Sequence, residues 1–93
     1  MSEPISDDDL RKIRDRCEAA TPGPWWASLE GRDHTSGSDV IMTGKKGIGF
    51  EISDATAADH DFIARARQDV PRLLAEVSRL RRLLEEKEGR SRS

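Results

Sequence analysis

The stretch Glu18–Trp26, EAATPGPWW, is predicted to end a helix and to turn the chain into an extended segment. Pro22 biases Thr21 away from helical angles, and the dipeptide Gly23-Pro24 cannot extend a helix. The helix before this corner is therefore predicted to end near Ala20. The two prolines and the glycine preset the angle at which the next segment leaves.

Both tryptophans of the chain stand side by side at this corner. Adjacent residues of a strand point to opposite faces, so Trp25 and Trp26 cannot both enter one core. We predict that Trp25 packs and that Trp26 is exposed, as an interface or ligand contact. The predicted structural corner comprises Pro22, Gly23, Pro24 and Trp25.

A helix is predicted before the corner. Ser6 reads as its N-cap, and the three aspartates that follow occupy the first turn, where the helix dipole favours negative charge. Apolar side chains recur at spacings of three, four and three residues: Leu10, Ile13, Cys17 and Ala20. This single apolar stripe predicts one buried helix face.

After the corner, three β-like segments are separated by Gly-rich, Ser-rich and Asp-rich breaks. Their predicted ranges are Trp25–Leu29, Val40–Thr43 and Ile48–Ile52. The short breaks favour an antiparallel three-stranded meander. Apolar and polar residues alternate in the last segment, which indicates a sheet covered on one side only.

Helical spacing returns after Asp54. Phe62, Ile63 and Ala66 offer one apolar face of a short helix, and Asp69 is predicted to cap a new, longer helix with Pro71 in its first turn. The predicted fold is thus α+β: an N-terminal helix, a three-stranded antiparallel meander, a short helix and a long C-terminal helix. The predicted units are a domain over 1–68, an oligomerisation helix over 69–88 and a disordered tail over 89–93.

The long helix carries an a/d heptad pattern typical of a coiled-coil seam: Val70, Leu73, Val77, Leu80 and Leu84. In this register Glu76 falls at g and Arg81 at the following e, positions that meet across a parallel dimer. Leu74 and Leu83 widen the stripe. We predict a homo-oligomer, with a parallel dimer first.

Composition supports association. Hydrophobic residues make up 34% and charged residues 37% of 93 residues, so a single chain has few side chains from which to build a core. Residues 1–61 carry 7 Lys/Arg against 13 Asp/Glu, and residues 62–93 carry 9 against 5. No apolar run is long enough for a membrane span and no basic-apolar leader begins the chain, so we expect no membrane partner and a cytoplasmic location.

Three segments of the chain resemble one family: Ala20–Trp25 (ATPGPW), Ala58–Ala64 (ADHDFIA) and Asp69–Leu74 (DVPRLL). Together they are similar to the Ead-like early proteins, small proteins encoded in phage and prophage genomes. The match covers both ends of the chain, and residues 27–53 align with nothing in that pattern. The resemblance implies a viral or prophage accessory role in the host cytoplasm and assigns no chemistry.

No motif indicates catalysis, a cofactor or a metal. Gly44–Gly49 lacks P-loop spacing and is interpreted as a hairpin turn. Asp59-His60-Asp61 and Asp33-His34 are interpreted as solvated side chains. Cys17 lies on an apolar stripe, which favours a small core residue over a nucleophile. We predict that the protein is not an enzyme.

Three function hypotheses follow. The preferred one is a non-catalytic, oligomeric binding module that presents the β region to a host protein. The second is a sponge that sequesters a small nucleotide signal through Trp26 with nearby cations, the candidate contacts being Arg32, Lys45, Lys46 and Arg65. The third is nucleic-acid binding by the arginines of the C-terminal helix, weakened by the glutamates between them.

Overall fold

A computed structural model describes residues 4–92 of the backbone and the side chains of residues 4–89. The elements follow one another as α1 (Asp7–Ala19), β1 (Trp26–Ser28), β2 (Val40–Met42), β3 (Gly49–Glu51) and α2 (Ala57–Arg92). The predicted α+β class and the three-stranded antiparallel sheet are confirmed, with strands shorter than predicted. Within the described residues, no helix is both long and apolar enough to cross a membrane.

The first helix begins and ends where its sequence predicts. The Ser6 hydroxyl accepts the backbone N–H of Asp9, and the Asp9 carboxylate faces the N–H of Ser6 in return, which forms a capping box. At the other end, Ala20 leaves helical geometry just before Pro22. Leu10 is buried on the predicted apolar face.

The sheet has the order β1-β2-β3, with each neighbouring pair antiparallel. The register places Ala27, Ile41 and Phe50 in one row across the three strands. Ile41 is fully buried. The next row along contains Trp26, Met42 and Gly49, and the side chains of Trp26 and Met42 point to the other face. One face of the sheet therefore packs inward, but Ile48, which the alternation assigns to that face, lies before β3 and is 42% exposed.

The C-terminal part differs from the prediction. A single helix, α2, runs through Asp69 and Pro71, where the sequence predicts a short helix followed by a new one. The predicted domain boundary between residues 68 and 69 therefore lies inside one element. The same helix continues to Arg92 where a disordered tail was predicted for residues 89–93, and Ser93 lies outside the described residues.

The helix α2 stays continuous through Pro71 because other elements pack on both sides of the proline. Residues of α2 before it, Ala64 and His60, are buried beneath the sheet, and Leu74 after it is buried against α1. These contacts offset the lost backbone hydrogen bond and the ring clash that a proline brings to a helix interior.

The two helices form an antiparallel hairpin joined through the sheet. Arg81 bonds Asp7 and the carbonyl of Ile5 at one end, and Arg67 donates to the carbonyl of Thr21 at the other. The buried apolar side chains of the described residues form a thin core: Leu10, Leu29, Ile41, Ala64 and Leu74.

Candidate functional site

The corner predicted at Pro22–Trp25 connects α1, the sheet and α2. The Trp25 indole N–H donates to the carbonyl of Thr21 at 2.9 Å, and its ring meets Phe50 edge-on with centroids 5.2 Å apart. The Arg67 guanidinium lies over the Trp25 ring, 5.9 Å from its centroid. Trp25 is half-buried at this corner.

The β2–β3 turn closes against the same corner. The Gly44 N–H donates to the carbonyl of Pro22 at 2.7 Å, and a Cβ atom on Gly44 would lie 2.0 Å from the carbonyl oxygen of Gly23. Only glycine fits this approach. The Gly44–Gly49 segment is thus a hairpin turn, as interpreted from the sequence, with Lys45 and Lys46 exposed at its tip.

A cleft lies between strand β1 and helix α2, with a volume of about 390 Å³. It brings together three of the five candidate ligand contacts: Trp26, Arg32 and Arg65. Lys45 and Lys46 do not line it. Trp26 is 49% exposed, as expected for a side chain on the uncovered face of the sheet.

The two arginines of this cleft differ in their surroundings. Arg32 forms a two-bonded ion pair with Asp61, at 2.9 and 3.1 Å, and also bonds Asp33. These hydrogen bonds raise the pKa of Arg32 and hold the pKa of Asp61 below its usual value, with Arg65 adding a further attraction to Asp61. Arg32 therefore joins the loop to α2, and Arg65 is a second exposed cation of the cleft.

One residue that lines this cleft, Gln68, was not predicted from the sequence. Its side-chain amide accepts from the N–H of Trp25 at 2.9 Å and donates to the carbonyl of Trp25 at 3.0 Å. The amide thus pairs with the sheet edge as a neighbouring strand would. A glutamine 43 residues away along the chain carries no pattern that reveals such a contact.

A second candidate surface is the outer face of α2, where large apolar side chains stand in solvent. Phe62 is 75% exposed and Leu73 is 63% exposed, and Leu80, Leu83 and Leu84 are each about half exposed. Phe62, Leu73, Leu80 and Leu84 fall within roughly 40° of one another around the helix at 3.6 residues per turn. We call this row the leucine face.

Beside Phe62, the leucine face adjoins an apolar groove of about 380 Å³ between α1 and α2. Its floor and walls are mostly small or apolar side chains: Ile13, Cys17, Ala20, Ile63, Ala66 and Val70. Cys17 is half-buried there, on the predicted apolar stripe. The groove and the leucine face together form one apolar surface.

The five residues of the predicted seam differ in their exposure to solvent. Leu73, Leu80 and Leu84 are exposed, and Val70 and Val77 are half-buried. Leu74 belongs to the core within one chain.

The charged residues of the predicted seam both have partners in the same chain. Glu76 bonds Arg79, and Arg81 bonds Asp7 and the carbonyl of Ile5. The hydrogen bonds from Arg79 lower the pKa of Glu76. Two of the arginines considered for nucleic acid are therefore occupied by carboxylates.

The histidine segment departs from the prediction of solvated side chains. His60 is fully buried, its Nδ1 atom bonds the carbonyl of Thr56 at 2.8 Å, and its Nε2 atom has no hydrogen-bond partner among the described residues. Asp59 instead caps the start of α2 at Thr56, and this bond lowers its pKa. Among residues 4–89, no group of three metal-ligating side chains converges.

His34 is also held in place. Its Nε2 atom lies 3.1 Å from the carbonyl of Ser28, and its Nδ1 atom accepts from the N–H of Ser36. The neighbouring Asp33 accepts from the N–H of Leu29, which lowers the pKa of Asp33. Both side chains thus organise the β1–β2 loop.

No family model, curated protein or solved structure matches this chain.

Proposed function

We propose that the protein is a non-catalytic binding module that self-associates through the leucine face of α2 and presents its β region to a host protein. The observation that carries this proposal is the row of exposed apolar side chains on one face of a 36-residue helix. The resemblance to Ead-like proteins supports a phage or prophage accessory role in the host cytoplasm.

The exposed apolar area is large for a chain of this size. The four large side chains of the leucine face, Phe62, Leu73, Leu80 and Leu84, leave on the order of 500 Å² in solvent, near the upper end for monomers. Pairing two such surfaces with their polar rims would bury roughly 1,200 Å² or more in total, the range of specific interfaces. A second copy of the chain would therefore bury enough area on this face for a specific interface.

Sedimentation equilibrium at micromolar concentration tests self-association. We expect the wild-type chain to be a dimer and the double variant Leu80→Asp/Leu84→Asp to be a monomer. Ala75→Asp, at an exposed position on the opposite side of α2, is the control and should remain a dimer. A monomeric wild type would refute the proposal.

The host-partner part has its own test. The protein, tagged at its N-terminus, is used to capture proteins from host cells, alongside three variants: Trp26→Ala, Lys45→Ala/Lys46→Ala and Leu80→Asp/Leu84→Asp. A partner of the β region should be retained by the wild type and lost from at least one variant while the dimer persists. A partner lost only with Leu80→Asp/Leu84→Asp would place the contact on the helices instead.

The Trp26 cleft favours a second function, capture of a small nucleotide signal. An exposed indole offers a stacking surface for a base, and Arg65 offers a cation for phosphate. Ultraviolet absorbance of ligand released from purified protein, followed by calorimetric titration, tests this function. Trp26→Ala and Arg65→Gln should each abolish binding, and Lys45→Gln, outside the cleft, should leave it unchanged.

A further inference from the structure

We infer that the two copies pair with their α2 helices antiparallel, so that the leucines of one copy enter the apolar groove of the other. This inference rests on the proposed self-association and adds its geometry. It differs from the parallel dimer that the heptad pattern favours, and it follows from three features of the described residues.

The first feature is shape. The groove beside α1 occupies the N-terminal half of the apolar surface, between Phe62 and Val70. The exposed leucines occupy the C-terminal half, from Leu73 to Leu84. Parallel pairing would set groove against groove and leucine against leucine, whereas antiparallel pairing sets each row of leucines against a groove.

The second feature is register. When α2 is reversed about Leu73, Leu80 comes opposite Ala66, and Leu84 comes opposite Phe62. The small side chain of Ala66, one of the groove-lining residues, leaves room for a leucine. Leu73, 63% exposed, then meets its own copy on the two-fold axis, as an isologous interface requires.

The third feature is charge. A parallel dimer would gain from Glu76 of one copy meeting Arg81 of the other, but Glu76 bonds Arg79 and Arg81 bonds Asp7 within the chain. The parallel arrangement therefore has no free ion pair at that point of the seam. Antiparallel pairing also sets the dipoles of the two long helices in opposite directions, which is favourable.

Disulfide trapping tests the orientation. In a Cys17→Ser background, Ala66→Cys protein is mixed with Leu80→Cys protein and oxidised, and mass spectrometry counts the products. We expect the mixed 66–80 dimer to predominate over both homodimers, because a disulfide requires Cα atoms within about 7 Å. Predominance of the 66–66 and 80–80 homodimers would overturn the antiparallel arrangement.

Further variants keep this test decisive. Phe62→Cys with Leu84→Cys, both exposed positions, should give the same mixed product, and Leu73→Cys should cross-link to itself. Ala75→Cys, on the other side of α2, should give no dimer. Sedimentation separates the two proposals. A monomeric wild type refutes self-association. If the wild type is a dimer but the cysteine variants form mainly the 66–66 and 80–80 homodimers on oxidation, only the antiparallel orientation is refuted.

Discussion

Trp25 joins three parts of the fold: the end of α1, strand β3 and helix α2. It bonds the end of α1 at Thr21, meets Phe50 of β3, lies beneath Arg67 of α2, and its backbone is held by Gln68. Trp26, one residue later, points to the uncovered face of the sheet and is half exposed. The same residue type thus has different effects on stability at adjacent positions.

We expect Trp25→Ala to lower the free energy of unfolding by about 3–5 kcal/mol, because it empties a site that surrounding side chains cannot fill. Trp26→Ala should cost much less, since that ring is already half in solvent. Urea unfolding of both variants beside the wild type measures the difference. Equal losses would mean that Trp25 is not the structural tryptophan.

That the two tryptophans lie on opposite faces could be predicted from the sequence, because the alternation of side chains along a strand is a local property. The burial of His60 could not. Its neighbours, Asp59 and Asp61, are charged, and only the arrival of the sheet over this turn of α2 removes the imidazole from water. Gln68 was missed for the same reason, since its partner lies 43 residues away.

In helix α2, packing against other elements overrides a helix boundary that the local sequence predicts. The sequence places a helix boundary at Asp69 and Pro71, and both residues carry the features of a helix start. The proline instead lies inside a helix because the sheet holds the turns before it and α1 holds the turns after it. The proline therefore still destabilises the folded helix, through the missing hydrogen bond and the ring clash.

Pro71→Ala should therefore raise the free energy of unfolding by about 1–2 kcal/mol: the helix regains a hydrogen bond, and the greater freedom of the unfolded chain offsets part of that gain. Thermal unfolding of the variant measures the change. Ser78→Ala, at a half-buried position two turns on, is the control and should change Tm little. Unchanged or lower stability of Pro71→Ala would show that the proline fits the helix without cost.

The β1–β2 loop is joined to α2 by the Arg32–Asp61 ion pair, and this joint depends on pH. Arg32 remains charged throughout, and the pKa of Asp61 lies below its usual value. The contribution of a carboxylate with a lowered pKa is complete above its unfolded value, about 4, and is lost as pH falls through the folded value. Because both side chains are exposed, solvent weakens the effect.

Asp61→Asn should therefore lower Tm above about pH 5, where the wild-type carboxylate is charged in both the folded and unfolded states. The difference in Tm between the two proteins should shrink as pH falls below about 4. Asp15→Asn, on the exposed side of α1, is the control. A difference that stays constant from pH 7 to pH 3 would contradict a stabilising role for the Asp61 charge.

At the scale of the whole molecule, the heptad pattern predicts that leucines line one side of α2, and three of the five seam residues are exposed on that side. The pattern does not reveal that α1 packs beside the seam and takes Leu74 into the core. It also cannot reveal that Arg81 is paired with Asp7, 74 residues away in the chain. The spacing of apolar residues is enough to predict the seam positions. The relative orientation of the two copies depends on the other elements that contact the helix.

The thin core and the leucine face together predict that folding and association are linked. The five buried apolar side chains of the described residues supply little stability for one chain, and the exposed leucines would add their burial only in a dimer. A chain whose folded form binds its own copy gains stability with concentration. We therefore expect the Tm of the wild type to fall by about 5 °C over a hundredfold dilution.

Differential scanning fluorimetry over that concentration range provides the measurement. Leu80→Asp/Leu84→Asp should have a lower Tm that does not change with concentration, because it cannot form the interface. Ala75→Asp should follow the wild type, since its substitution lies away from the leucine face. A wild-type Tm independent of concentration would mean that one chain reaches its full stability alone and that the leucine face serves a different partner.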